Sequence, residues 1–232
     1  MSGPAAPAKR LTISAADDIQ VSGLLLQPAS AKACLVLGHG AGAGMEHPYM
    51  AALARDLAAA GVATLRYQFP YMEKRGRRPD PPAVCHATVR AAVDAAQALV
   101  PSLPLLAGGK SFGGRMTSQT QAERPLPQVR GLVFFGFPLH PAKQPSASRG
   151  RHLFDVSIPM LFLQGTRDAL AEPALVTDLV QQLGERATLQ MFEHADHSFH
   201  VPSRSGRSDA DINREMLQAF GAWSDSVTGK SA

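Results

Sequence analysis

The stretch Leu105-Leu106-Ala107-Gly108-Gly109-Lys110-Ser111-Phe112-Gly113-Gly114 decides how the rest of the chain is read. An apolar run ends in glycines, then a serine, then more glycines, and the segment from Arg115 to Ala122 can be helical. The order is strand, sharp turn, helix, and the turn reads G-x-S-x-G. Such a turn is tight and strained, and it projects the serine hydroxyl from the sheet edge. Gly109 and Gly113 flank Ser111 because strand and helix pass too close there for a Cβ. The following helix points its N-terminus at the serine, where orphan backbone N–H groups can stabilise negative charge. A plain strand-to-helix turn uses the same residue types, so the motif needs support from the rest of the chain.

At 232 residues the chain fits one domain with a large core. We place a loose arm at 1–10, the domain at 11–226 and a tail at 227–232. The apolar fraction of 45% and the charged fraction of 18% suit a soluble globular protein. No apolar run reaches the roughly 18 residues that span a membrane, and 1–10 lacks the apolar core of a secretory signal. Cys34 falls in an apolar strand and Cys85 near a helix start. The pair does not make a disulfide framework and points to a reducing cytoplasm. A net charge of +4 gives no reason to expect nucleic acid as a partner.

Along the chain, Leu11–Ala15 and Ile19–Leu26 read as an antiparallel hairpin. Cys34–Leu37 is a short apolar run ending in Gly38, which suits a strand buried on both faces. The glycine-rich loop His39-Gly40-Ala41-Gly42-Ala43-Gly44 follows. A helix is expected over Met50–Ala60, stopped by Gly61, then a strand over Val62–Tyr67. Gln68–Pro82 reads as a polar, proline-rich loop and Ala83–Val100 as a long helix. Further strands are expected from Leu103 and over Val129–Phe137, Ile158–Gln164 and Ala187–Phe192. Helices are expected over Pro173–Leu183 and Asp209–Ser224. Strands alternating with helices predict an α/β architecture with a mostly parallel sheet. The loop from Pro138 to Ser157 is too short for a large lid domain.

In such sheets the reactive groups lie beyond the carboxyl ends of the strands. Asp168 follows the buried run Leu161–Gln164 and stands where an acid would orient a histidine. Glu193 and Asp196 are competing acids, but they adjoin the histidines in sequence. The loop after the last strand holds His194, His197 and His200. His197 is the first choice as base and His194 the fallback. Their spacing lacks the H-E-x-x-H helix of a zinc site and would leave Ser111 unexplained, so neither metal nor cofactor is expected. An oxyanion hole would be formed by the backbone N–H groups of Phe112 and Ala41, with Gly42 as the alternative. His47, His86, His140 and His152 read as surface or packing residues. Lys74, Arg75, Arg77 and Arg78, with Lys143, Arg149, Arg151, Arg204 and Arg207, lie in loops expected on the catalytic side. Arg75, Arg78 and Lys110 are the candidates for a basic substrate rim, which would favour anionic esters. Solvated loop charges are the plainer account of the same residues.

With Ser111, Asp168 and His197 in the order serine, acid, histidine, the sequence resembles a small serine α/β-hydrolase of the dienelactone-hydrolase-like clan. Within that clan it resembles most the group shared by the human testis-expressed protein thirty and the third subunit of the non-specific-lethal complex. The residues that carry this are Gly38-His39-Gly40-Ala41-Gly42, Phe69-Pro70-Tyr71 with Arg78-Pro79-Asp80, Gly109-Lys110-Ser111-Phe112-Gly113-Gly114, Gly136-Phe137-Pro138-Leu139-His140-Pro141 and Gln164-Gly165-Thr166-Arg167-Asp168. The His-Ser-Phe at His197 is similar to the His-Gly-Phe that often carries the base. The resemblance implies the α/β-hydrolase fold and the triad, and no particular substrate. Dienelactone hydrolases carry cysteine at the elbow, so Ser111 speaks against that activity. The expected function is hydrolysis of a small acyl substrate, an ester or thioester, through an acyl-enzyme on Ser111. The alternative is a non-catalytic interaction module that keeps the fold, and three filled triad positions argue against it.

Overall fold

Leu105 and Ala107 pack on one side of a sheet and Leu106 on the other. The same alternation of period two sorts Cys34 and Val36 from Leu35 and Leu37, and Met160 and Phe162 from Leu161 and Leu163. These strands are apolar on both faces because both faces are covered by helices. The computed structural model describes residues 7–16 and 18–229.

The strands are β1 (Lys9–Ala16), β2 (Ile19–Leu26), β3 (Ala33–Gly38), β4 (Val62–Tyr67), β5 (Leu105–Lys110), β6 (Val129–Phe135), β7 (Met160–Gly165) and β8 (Ala187–Phe192). They form one sheet in the order β1-β2-β4-β3-β5-β6-β7-β8. The β1/β2 and β2/β4 pairs are antiparallel and all others are parallel. Helices α1 (Pro48–Ala59) and α6 (Asp209–Thr228) cover one face, through Leu53, Leu57, Met216 and Phe220. Helices α3 (Pro82–Leu99), α4 (Phe112–Glu123) and α5 (Pro173–Leu183) cover the other, through Val89, Val93, Met116 and Leu179. Pro48, Pro82 and Pro173 each open a helix, where a missing N–H costs nothing.

Register fixes what meets at the carboxyl edge. Gly38 pairs with Tyr67 and Gly109, Lys110 with Phe135, Phe135 with Leu163, and Gly165 with Phe192. The loops bearing His39, Ser111, Asp168 and His197 therefore leave the sheet side by side.

Several boundaries differ from those expected. Lys9 and Arg10 belong to β1, held by pairing with Leu25 and Leu24, so any arm is shorter than 1–10. The rest of that arm that is described is Pro7 and Ala8, and 1–6 lie outside the described residues. Helix α6 runs through Thr228, so the expected tail loses Val227 and Thr228, and 230–232 are outside the described residues. The proline-rich loop contains a helical turn, α2 (Pro70–Glu73), because Tyr71 turns inward and Asp80 Oδ2 accepts its N–H at 2.7 Å. The connection from β6 to β7 carries a 3-10 segment, Ser148–Asp155, and no inserted domain. Among the described residues no helix is long and apolar enough to cross a membrane.

Candidate active site

Ser111 is the N-cap of α4, with φ 50° and ψ −113°. A serine in this region is strained by about 1–3 kcal/mol, which its surroundings must offset. Its N–H donates to Phe135 O at 3.2 Å and its carbonyl accepts Arg115 N–H at 3.1 Å. A Cβ on Gly109 would fall 2.4 Å from Gly38 O, and one on Gly113 would fall 2.4 Å from the same carbonyl. The glycines on either side of Ser111 are therefore required by close approach, as the sequence predicted. The third member of the contact, Gly38, is the end of β3.

Ser111 Oγ lies 2.8 Å from His197 Nε2, and His197 Nδ1 lies 2.6 Å from Asp168 Oδ2. A carboxylate against Nδ1 fixes the proton there, which leaves the Nε2 lone pair to accept the Ser111 O–H. The Asp168 side chain is wholly buried and that of His197 is 23% exposed. Gln164, at the end of β7, donates its Nε2 to Asp168 Oδ2 at 2.5 Å and accepts Phe137 N–H on Oε1 at 2.9 Å. Leu170 N–H donates to Asp168 Oδ1 at 2.8 Å. Asp168 therefore accepts from three donors.

The competing residues go elsewhere. Asp196 Oδ1 accepts the N–H groups of Ser198 (2.7 Å) and His200 (3.0 Å), so Asp196 folds the loop that carries His197. His194 is half-buried and faces Glu193 at 3.5 Å, while His200 pairs with Asp209 at 2.8 Å. The three histidines do not converge. His140 is more than packing. It is buried, its Nδ1–H donates to Pro141 O (2.8 Å), and its Nε2 accepts Glu172 N–H (3.0 Å), which ties the loop after β6 to the Asp168 turn. His39 does the same between the glycine loop and the start of α2, with its Nδ1–H donated to Gly40 O (2.8 Å) and its Nε2 accepting Phe69 N–H (3.1 Å). Burial pushes His39 down to about 4, keeping it neutral.

The cleft in front of Ser111 holds about 420 Å³ and is lined by Gly40, Ala41, Ala43, His47, Tyr49, Met50, Lys110, Leu170, His197 and Ser198. A wider, shallower hollow of about 520 Å³ between β1 and α3, lined by Thr12, Arg90, Asp94 and Arg124, has no comparable cluster of reactive groups. Ala41 lies at the cleft with Ser111. The Gly42 N–H, the expected alternative donor, is already given to Tyr71 Oη at 3.0 Å. Arg75 and Arg78 are exposed but are not among the residues lining the cleft. Lys110 borders the cleft yet is only 9% exposed, so it is not a rim residue in solvent. Its Nζ donates to His197 O. Burial lowers it to about 8, against the opposing pull of Asp168 and Asp196. Of the three rim candidates only Lys110 is among the residues lining the cleft. Gln164 and His39 were missed as site residues. Their signal was a polar side chain at the end of an apolar strand.

The strand order, the strained serine and the loop positions at the carboxyl edge define an α/β-hydrolase. A family model described as alpha/beta hydrolase domain matches residues 31–225, and the chain belongs to that family. Among solved structures it is similar to a dienelactone hydrolase from Anabaena variabilis, with TM-score 0.73, 22% identity, and coverage of 92% of this chain and 96% of that one. It is also similar to a serine hydrolase without a lid from Xanthomonas campestris, with TM-score 0.73, 20% identity, and coverage of 94% and 95%. A serine hydrolase homologue from Coxiella burnetii gives 0.72, 18%, and coverage of 93% and 99%.

Proposed function

We propose that the protein is a serine hydrolase that cleaves a small ester or thioester through an acyl-enzyme on Ser111. The observation that carries this is the continuous hydrogen-bonded chain from Ser111 Oγ through His197 to Asp168, with both links below 3 Å. In this reading Ser111 Oγ attacks the acyl carbon as His197 Nε2 takes its proton. The carbonyl oxygen becomes the oxyanion, held by the N–H groups of Phe112 and Ala41. Asp168 holds the ring and stabilises the imidazolium. His197 then gives the proton to the departing alcohol or thiol. A water, deprotonated in turn by His197, attacks the acyl-enzyme and releases the acid and Ser111.

A cleft walled mainly by small or apolar residues, with no Asp or Glu among them, supports a small acyl group and offers no repulsion to an anionic one. Neither nucleic acid nor membrane has a part in this reading. Two free, buried cysteines support a reducing, cytoplasmic setting. The motif set quoted above supports placing the chain near the testis-expressed-protein-thirty group of the family.

The test is labelling with a fluorophosphonate probe, read by intact mass, on wild type and Ser111→Ala. One adduct on wild type and none on the variant is the expected result. Absence of an adduct on both would sink the hydrolase reading and favour a non-catalytic interaction module.

A further inference from the structure

Lys110 is the last residue of β5 and the neighbour of Ser111, but its side chain runs sideways to the loop after β8. It passes Gly136, where an added Cβ would lie 2.9 Å from Nζ and 3.4 Å from the His197 ring. Gly136 thus leaves room for both groups. Nζ donates to His197 O and stands 5.0 Å from the Phe199 ring centre and 5.9 Å from that of Tyr49. Among the described residues no carboxylate lies within ion-pair distance of it. A buried ammonium with no paired anion is costly, and a methionine would fill the same space between two aromatic rings without that cost. Packing alone therefore gives no reason for a lysine here.

Apart from the Ser111–His197 bond itself, the Lys110 bond is the one hydrogen bond between the end of β5 and the loop carrying His197, among the described residues. We propose that Lys110 is a positioning residue for His197: its ammonium fastens the carbonyl of the base to the nucleophile's own strand. This deepens the serine-hydrolase reading and rests on it.

The experiment is the rate of fluorophosphonate labelling for wild type, Lys110→Met, Lys110→Gln and Lys110→Arg, each checked for folding by circular dichroism. For folded Lys110→Met the rate should fall about tenfold as the ring loses its tether. Lys110→Arg, which keeps the charge and the donor, should restore the rate. A wild-type rate in Lys110→Met, or a loss that folded Lys110→Arg does not restore, overturns the proposal. Should Lys110→Met fail to fold, Lys110→Gln decides, and a wild-type rate there overturns the proposal equally. Failure of wild type to label at any pH would instead refute the serine-hydrolase reading on which the proposal rests.

Discussion

Asp168 accepts from three donors on two oxygens, with Gln164 and His197 on Oδ2 and Leu170 on Oδ1. No orientation of an asparagine satisfies that set, because its NH₂ must face either Leu170 N–H or the Gln164 and His197 donors. With the NH₂ on the His197 side the imidazole takes the wrong tautomer, and Asp168→Asn is expected to lower kcat by about 10⁴. It should also cost about 1–3 kcal/mol of stability through the unmatched donor. Turnover of a p-nitrophenyl ester and a urea melt check the two parts separately. The Asp168 position was legible because it follows a buried strand and stands between Ser111 and His197 in chain order. Gln164 was silent. It reads as the fourth residue of Leu161-Phe162-Leu163-Gln164, and only the approach of β6 shows that its amide serves Phe137 on one side and Asp168 on the other.

Among elements, α4 is seated on the end of β3 by glycine against glycine. Gly113→Ala would put a methyl 2.4 Å from the Gly38 carbonyl, and neither backbone can yield without moving Ser111. We expect it to destabilise by about 1–3 kcal/mol or more and to abolish labelling. Gly221→Ala, inside α6, meets nothing within 4 Å. It should stabilise by about 0.4–1 kcal/mol by restricting the unfolded chain. Thermal melts of the two variants should move in opposite directions. The need for Gly113 was readable in G-x-S-x-G, whereas the partner surface Gly38 was not, since strand neighbours separated by many residues leave no local pattern. Helix α2 was hidden for a related reason. Its four residues are held by Tyr71 packing edge-on to Phe112 and by Asp80, contacts that no short window contains.

For the whole molecule, pH acts on stability through two neutral histidines. His39 is pushed down to about 4 by burial, and His152 to about 4 by burial and then by Arg115. Below about pH 6.5 the unfolded chain takes up protons that the folded chain refuses. Stability is thus full above about 6.5 and falls until about 4, by on the order of 2–4 kcal/mol between pH 7 and 5 for the pair. A melt series over that range should show Tm falling, and His152→Gln should flatten the slope. The fold class was legible from the succession of apolar strands and helices, and the site from which residues followed each strand. Charge in sequence carries no direction, so the loops alone did not show that Lys110 lines the cleft while Arg75 and Arg78 do not. That cleft is bordered by the glycine loop, Leu170 and the loop after β8, and the connection from β6 to β7 carries no inserted domain. In the proposed hydrolase reading, then, no inserted domain has to swing aside for a molecule in solution to meet the serine. Selection in that reading falls on the walls, so altering Ala43 or Leu170 should change which esters are turned over, as a panel of p-nitrophenyl esters would show.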